Sequence, residues 1–428
     1  MICEAALPDI LVSSGFSLRL RGFSAIDRYL GREDLPFIFA DTGAGLSDLA
    51  RHIEGLRFPG PSLADAAAES GERTWYFRCL DADEPSPDSR FSAGQDGGSF
   101  ECLDFYQDRE TGRFQDPWGL YPWLRGLSGK GRGRGAGMAG SHVRDHGGKT
   151  AGRAGVPEPF PWWEGLRAGA DRYRALLEGA LILSRYCGGG YRPRLIEEIA
   201  GLFDRLPGGQ PPGEEEQRLF LAGMLCSPNP GLGLEFLKTA GFVGEFWPEL
   251  AVLDDVDHSK EFHPEGNVWK HTLETFRYRK TAGGGRVSHD LVLSLGLLLH
   301  DTGKALAGTE GGRRFSGHAE LGARTARRFL ERLGFDPALA DAVCYLVKNH
   351  MLPAALPRLP LKRVEEVIAS PFFPTLLELY RCDESSSFKG LDGYYESSAT
   401  YQSYLKYRRN PYRLTDGKKM GKRELSER

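Results

Sequence analysis

Six residues in the second half of the chain have the types and spacing to hold metal ions: His271, the adjacent pair His300-Asp301, His318, His350 and Asp383. The chain has 10 histidines, and His258, His263, His271, His289, His300, His318 and His350 crowd into one segment. A lone histidine is more often a core or surface residue than a ligand, so the surroundings of each decide its weight. Residues 291–299 (LVLSLGLLL) lead straight into His300-Asp301, and a charge placed directly after so apolar a run needs a partner to offset its desolvation. His271 lies in VWKHTLETF, a helix able to pack beside that run. His318 opens the helical pattern GHAELGARTARRFLERLG, His350 closes ALADAVCYLVKNH, and Asp383 closes PTLLELYRCD. The ends of separate helices would thus bring imidazoles and carboxylates to one point.

The elements that must position these residues follow from periodicity. From about residue 160 onward, apolar residues recur three or four apart in DRYRALLEGALILSRY, RPRLIEEIAGLFDRL, GEEEQRLFLAGML and GLEFLKTAG, with glycine or proline between segments. The helical pattern continues through 291–300, 317–334, 337–349, 361–370 and 374–382. The N-terminal part reads differently. Residues 10–45 predict a strand, a helix ending at Gly31 and a strand at FIFADTG; SLADAAAESG predicts a helix, TWYFRCL a strand, and SFECLDFYQD with ETGRFQDPWG a hairpin turning at Thr111-Gly112. The expected fold class is α+β: a small α/β head followed by an all-helical body.

Two basic stretches flank this body. Residues 126–156 are rich in glycine, and here Arg125, Lys130, Arg132, Arg134, Arg144, Lys149 and Arg153 stand against Asp145. Too few apolar residues are present to offset the entropy of ordering, so the segment is expected to be a flexible linker, either solvated or in contact with a polyanion such as RNA. The segment after 404 (YLKYRRNPYRLTDGKKMGKRELSER) is basic with interleaved tyrosines, which suits nucleic-acid contact, although a solvated, frayed terminus is the commoner source of such charge.

The totals set limits. A chain of 428 residues, 40% hydrophobic and 26% charged with a net charge of -3, has the composition of a globular protein of more than one domain. Its 7 cysteines are odd in number, scattered and without a CxxC pair, which argues for thiols in a reducing cytoplasm. The start MICEAALPDILVSS lacks a basic segment and carries Glu4 and Asp9, which argues against a signal peptide. No apolar run approaches the ~18–20 residues that span a bilayer. A cytoplasmic location without membrane contact is expected; the sequence specifies no oligomeric state.

The order His271, His300-Asp301, His318, His350, Asp383 resembles the H…HD…H…H…D pattern of the HD superfamily of metal-dependent phosphohydrolases, a helical bundle. The resemblance implies that His271, His300, Asp301 and Asp383 hold one divalent ion and that His318 and His350 help hold a second. Such mixed ligation suits Mn, Mg, Ni, Co, Fe or Zn without choosing among them. It also implies a catalytic role for His300 and Asp301, with Lys304 of the HDTGK segment meeting a phosphate oxygen; the alternative for Lys304 is an exposed helix-surface lysine.

A narrower resemblance covers most of the chain. HPEGNVWKHTLETF after FLKTAGFVGEFWPELAVL, RETGRFQDPWG, and NPYRLTDGKKMG are similar to segments of bacterial tRNA nucleotidyltransferases, the CCA-adding and poly(A) polymerase-like enzymes, that carry an HD domain. His263 belongs to that signature without an assignable role. The implied order is a β-polymerase-like head over 1–125, a linker over 126–158, a helical neck and body over 159–255, the HD domain over 256–390 and a basic C-terminal segment over 391–428. The head departs from the family. The glycine-rich turn that holds a triphosphate falls on residues 22–27, keeping Gly22 and Asp27 but with Ile26 at the arginine position. The two metal-binding carboxylates fall on Pro36 and Ile38, which offer no side-chain oxygen to a hard cation. A slipped alignment recruits Asp41, a single acid. SFECLD at 99–104 replaces a further family motif. A head that keeps the fold and has lost polymerase activity is expected.

Three functions follow as expectations. The first is hydrolysis of a phosphomonoester or cyclic phosphodiester on a nucleotide or RNA 3′ end, with tRNA one such RNA. The second is RNA 3′-end nucleotidyl transfer by a divergent head. The third is non-catalytic RNA binding through the linker and tail.

Overall fold

Period-two alternation in the N-terminal part builds one sheet from β1 (Leu18–Arg21), β2 (Phe37–Thr42), β3 (Ala66–Ser70), β4 (Arg73–Cys79), β5 (Tyr106–Asp108) and β6 (Phe114–Gln115). The structure is a computed structural model that describes residues 7–60, 63–80, 98–127, 162–187, 193–257, 266–280, 287–307, 309–310, 313–387, 390–410 and 412. The strand order is β3-β4-β2-β1-β5-β6. β2 and β4 run parallel, and the other pairs are antiparallel. The register sets Arg19 and Arg78 on either side of Asp41, so these three side chains share one face of the sheet. The predicted helix between β1 and β2 is α1 (Phe23–Leu30), ended by Gly31 in the left-handed region at φ 69°. The predicted hairpin is β5–β6, with Gly112 at φ 68°.

The helix expected at SLADAAAESG is not formed. Ala66–Ser70 is strand β3, paired antiparallel with β4 so that Ala66, Ala67 and Ala68 face Phe77, Tyr76 and Trp75 across the ladder. Alanine's helix preference is below ~1 kcal/mol per residue. It yields here to ladder hydrogen bonds and to the fit of small side chains beside a strand of large aromatics.

The chain divides into two compact units between Ser227 and Pro228; the five-part division expected from the sequence is finer and is not decided by this one. In the first unit, α2 (Arg172–Tyr186) and α3 (Glu214–Leu225) accompany the sheet. α2 is buried along most of its length, Arg185 included. The second unit contains α4 (Val268–Thr275), α5 (Val287–Leu299), α6 (His318–Arg332), α7 (Pro337–Asn349), α8 (Phe373–Ser385) and α9 (Asp392–Arg409). Leu293, Leu295, Leu297, Leu298 and Leu299 of α5 are all buried, the pattern of a helix covered on every side. Gly296 permits this closeness, since a Cβ there would stand 2.8 Å from Leu346 and 3.1 Å from Leu379. The predicted helices of this unit are thus formed, and α9 adds one whose last turns take in the start of the basic segment, residues 404–409. Its Tyr401 and Tyr404 are buried, and the Tyr401 ring lies 4.7 Å from that of Phe373. These two tyrosines serve packing and are not offered to stacked bases. Among the described residues, no helix is long and apolar enough to cross a membrane.

Candidate metal centre

The polar ends of five segments in the second unit meet at one buried cluster. His271 projects from α4, His300 and Asp301 follow α5 directly, His318 begins α6, His350 follows α7, and Asp383 lies in the last turn of α8. His271, His300 and Asp301 are at most 2% exposed. Ligand atoms form two groups, His271–His300–Asp383 and Asp301–His318–His350, each with its atoms within 4.8 Å of one another. Such groups could hold metal ions. The six residues named from the sequence are therefore brought together. Asp301 reaches both groups: its Oδ2 is 3.3 Å from His300 Nε2 and 4.0 Å from His271 Nε2, while its Oδ1 is 3.8 Å from both His318 Nε2 and His350 Nε2. The resemblance assigned Asp301 to one ion, whereas its two oxygens here face both groups.

The tautomers are fixed by the backbone. Nδ1 of His300, His318 and His350 lies 2.8, 2.8 and 2.7 Å from the carbonyl oxygens of Leu297, Phe315 and Val347. A carbonyl can only accept, so each Nδ1 carries the proton and each Nε2 presents a lone pair. This is the orientation in which an imidazole serves as a ligand. His300 Nε2 is buried without a hydrogen-bond partner, and His318 Nε2 and His350 Nε2 stand 3.1 Å apart. Two neutral imidazoles facing each other through lone pairs are satisfied by a cation. The donor set therefore fits divalent metals by its own chemistry.

The electrostatics agree. Burial lowers the pKa of His318, and it lowers that of His350 to about 4, against the opposing charge of Asp301. Both rings are kept neutral, as a ligand must be. Burial alone would raise Asp383, but the hydrogen bond and charge of His271, at 3.0 Å, hold it well below the usual carboxylate range.

Lys304 sits on a short turn over Thr302–Ala305 and bonds Asp301 Oδ2 at 2.6 Å. It therefore faces the cluster instead of solvent. Gly303 allows that turn to seat against α6: a Cβ there would fall 1.9 Å from the His318 carbonyl oxygen and 2.4 Å from the Gly322 nitrogen. Phe315 is a component that the sequence did not reveal. Among the described residues it is the one non-glycine with positive φ, at 62°, a conformation that costs ~1–2 kcal/mol for a residue with a side chain. Its carbonyl accepts from both the Nδ1–H and, at 3.2 Å, the backbone N–H of His318. Its ring centre is 5.7 Å from Lys304 Nζ. His258 and His263 lie outside the described residues, as do the side chain of His289, most of the glycine-rich linker and most of the basic tail.

The head positions are a separate matter, in the first unit. Gly22 has φ 55° and donates its N–H to Phe105 O at 2.8 Å, which leaves it a backbone role. Asp27 is buried between Arg185, 2.6 Å away, and the Tyr186 hydroxyl at 2.9 Å. Burial raises the Asp27 pKa and these two partners oppose the rise. Pro36 and Ile38 supply no ligand; the Pro36 carbonyl accepts from Thr74 N, and Ile38 pairs with Trp75. Asp41 is 1% exposed and enclosed by Arg19, Arg21 and Arg78 at 2.8, 3.2 and 3.0 Å. One carboxylate already shared by three guanidinium groups is poorly disposed to take a cation. The LRLR alternation of β1 puts Arg19 opposite Asp41 and Arg21 on the same face two residues on. Among the described residues, no group of metal-ligand side chains comparable to those of the second unit occurs in the head.

The HD domain family matches residues 268–370. The Multifunctional CCA protein of Halorhodospira halophila is 36% identical over 131 residues, 31% of this chain and 30% of that protein. The CC-adding tRNA nucleotidyltransferase of Thermus thermophilus is 34% identical over 166 residues, 37% of each chain. The Bifunctional uridylyltransferase/uridylyl-removing enzyme of Ruegeria pomeroyi is 28% identical over 174 residues, 37% of this chain and 18% of that protein. A solved Thermotoga maritima CCA-adding enzyme complexed with tRNA covers 98% of this chain and 84% of its own, at 12% identity and a TM-score of 0.38. The chain carries an HD domain and is homologous to the CCA-adding tRNA nucleotidyltransferase/poly(A) polymerase family. It spans about a third of the length of the two CCA relatives it matches.

Proposed function

We propose that this chain, built around its HD domain, is a metal-dependent phosphohydrolase that cleaves a phosphomonoester or cyclic phosphodiester of a nucleotide or RNA 3′ end. One observation carries the proposal: two ligand groups joined through Asp301, with the Nδ1 atoms of His300, His318 and His350 committed to carbonyls and their Nε2 atoms turned inward. His271, His300, Asp301 and Asp383 would hold one ion, and His318 and His350, with Asp301 bridging, a second. When bound, divalent ions supply Lewis acidity and positive charge against a phosphoryl group. The chain's own groups do the rest. Leu297, Phe315 and Val347 carbonyls fix the imidazole orientations, Asp301 ties the subsites together, and Lys304 offers an ammonium to a phosphate oxygen at the edge of the cluster. The Ruegeria pomeroyi relative is named for both uridylyl transfer and uridylyl removal, and the second of these accords with the proposal. A cytoplasmic setting accords with the scattered cysteines.

The test is hydrolysis of 2′,3′-cyclic AMP and p-nitrophenyl phosphate with added Mn, Ni, Co or Mg. Metal-dependent turnover is expected in the wild type and its loss in a His300→Ala plus Asp301→Ala variant. Activity that survives the double substitution sinks the proposal.

A second function, nucleotidyl transfer to an RNA 3′ end such as that of tRNA, is favoured by a specific observation. The Thermus thermophilus relative carries it in its name, beside the Multifunctional CCA protein of Halorhodospira halophila, and this homology weighs more for nucleotidyl transfer than for any particular hydrolytic specificity. The arginine-enclosed Asp41 and the absence of acids at Pro36 and Ile38 stand against it. Labelled CTP or ATP offered with tRNA decides the matter: incorporation establishes transfer, and none with any divalent metal removes it. Non-catalytic RNA binding rests on the linker and tail, most of which lies outside the described residues.

A further inference from the structure

The metal ligands account for the backbone of Phe315 but not for its side chain. The left-handed conformation aims the Phe315 carbonyl at His318, yet glycine adopts that conformation without strain and would supply the same carbonyl. A phenylalanine there therefore calls for a role of the ring itself. That ring is partly exposed and stands 5.7 Å from Lys304 Nζ, which is itself 2.6 Å from the bridging Asp301. An aromatic face thus lies beside the two groups that a phosphate would meet.

We propose that Phe315 is the specificity residue of this site, its ring stacking on the base of a nucleotide whose phosphate is met by Lys304 and by the ions that Asp301 bridges. The inference rests on the phosphohydrolase proposal for where the phosphate sits. Base–aromatic stacking is tolerant of base identity because every base presents a π-face, so the ring would select nucleotides over other phosphoesters without choosing among bases.

The experiment is equilibrium titration of the full chain in Mn2+ with non-hydrolysable phosphonate analogues of AMP and of ribose 5-phosphate. The wild type is expected to bind the AMP analogue roughly 5- to 140-fold more tightly, the range that corresponds to stacking of about 1–3 kcal/mol. Phe315→Leu should abolish the preference and Phe315→Trp should keep it. Phe315→Gly, which relieves the backbone, should lose the preference while retaining its metal content. Equal affinities in the wild type, binding of neither analogue, or a preference that persists in Phe315→Leu overturns the inference. Failure of hydrolysis with the preference intact would count against the phosphohydrolase proposal alone, and hydrolysis without the preference against Phe315 alone.

Discussion

His318 and His350 face one another through their Nε2 atoms at 3.1 Å, each with its Nδ1–H given to a carbonyl of its own neighbourhood. Nothing in packing requires two buried imidazoles to meet by their lone pairs. A centre that supplies a cation between such groups makes the arrangement favourable, and the predictions below follow from it.

The metal-free protein should lose stability as pH falls. The His350 pKa is lowered to about 4 by burial, while Asp301 opposes. Its ordinary value is ~6.5, so between those two values the unfolded chain binds the proton and the folded chain does not. Stability is therefore fully present above pH ~6.5 and declines toward pH 4, by on the order of 3 kcal/mol for this group. Urea unfolding of chelator-treated protein at several pH values checks this, with His350→Gln expected to flatten the slope. An unchanged slope in that variant would refute it.

Gly303→Ala should disrupt the centre from a position that holds no ligand. The added Cβ would collide with the His318 carbonyl and the Gly322 backbone, and backbone cannot swing aside as a flexible side chain can. A loss of ~1–3 kcal/mol from overpacking is expected, with weaker metal retention because Lys304 and His318 are both displaced. Thermal melting with metal analysis of the same samples tests it; wild-type values for both would mean the turn is looser than described.

Lys304→Met should leave metal content intact and reduce kcat/KM. A hydrogen bond to a charged group contributes ~1.5–3 kcal/mol, so the reduction should be about 10- to 150-fold. Steady-state kinetics on 2′,3′-cyclic AMP measures it. No change would return Lys304 to the role of a surface lysine.

Asp41→Ala should destabilise the first unit without altering phosphoester hydrolysis. Removing the acid leaves Arg19, Arg21 and Arg78 clustered without their shared partner, and breaking a buried ion pair in this way costs about 3–5 kcal/mol. Denaturant unfolding followed by the first unit's fluorescence would show it. A variant of wild-type stability would argue that Asp41 is held for chemistry.

Much of this was legible in the sequence for physical reasons. His300-Asp301 after LVLSLGLLL could be found because burial of charge demands partners, and His318, His350 and Asp383 because helix ends were marked by glycine, proline and period. Gly31 and Gly112 likewise announced a helix end and a hairpin. Ala66–Ala68 misled because alanine's preference is weak and the aromatic strand that decides it, β4, comes later in the chain. That Asp301 faces both ligand groups depends on which oxygen points where, and spacing cannot encode that. Phe315 was hidden because a left-handed phenylalanine leaves no mark in composition. The three arginines around Asp41 needed a strand register before their convergence could be seen.

Metal content per chain tests the paired centre most directly. Elemental analysis after loading with Mn and gel filtration should give roughly two ions in the wild type, about one in His350→Ala, and close to none in Asp301→Ala, whose carboxylate both subsites share. Equal metal content in all three proteins would contradict the account.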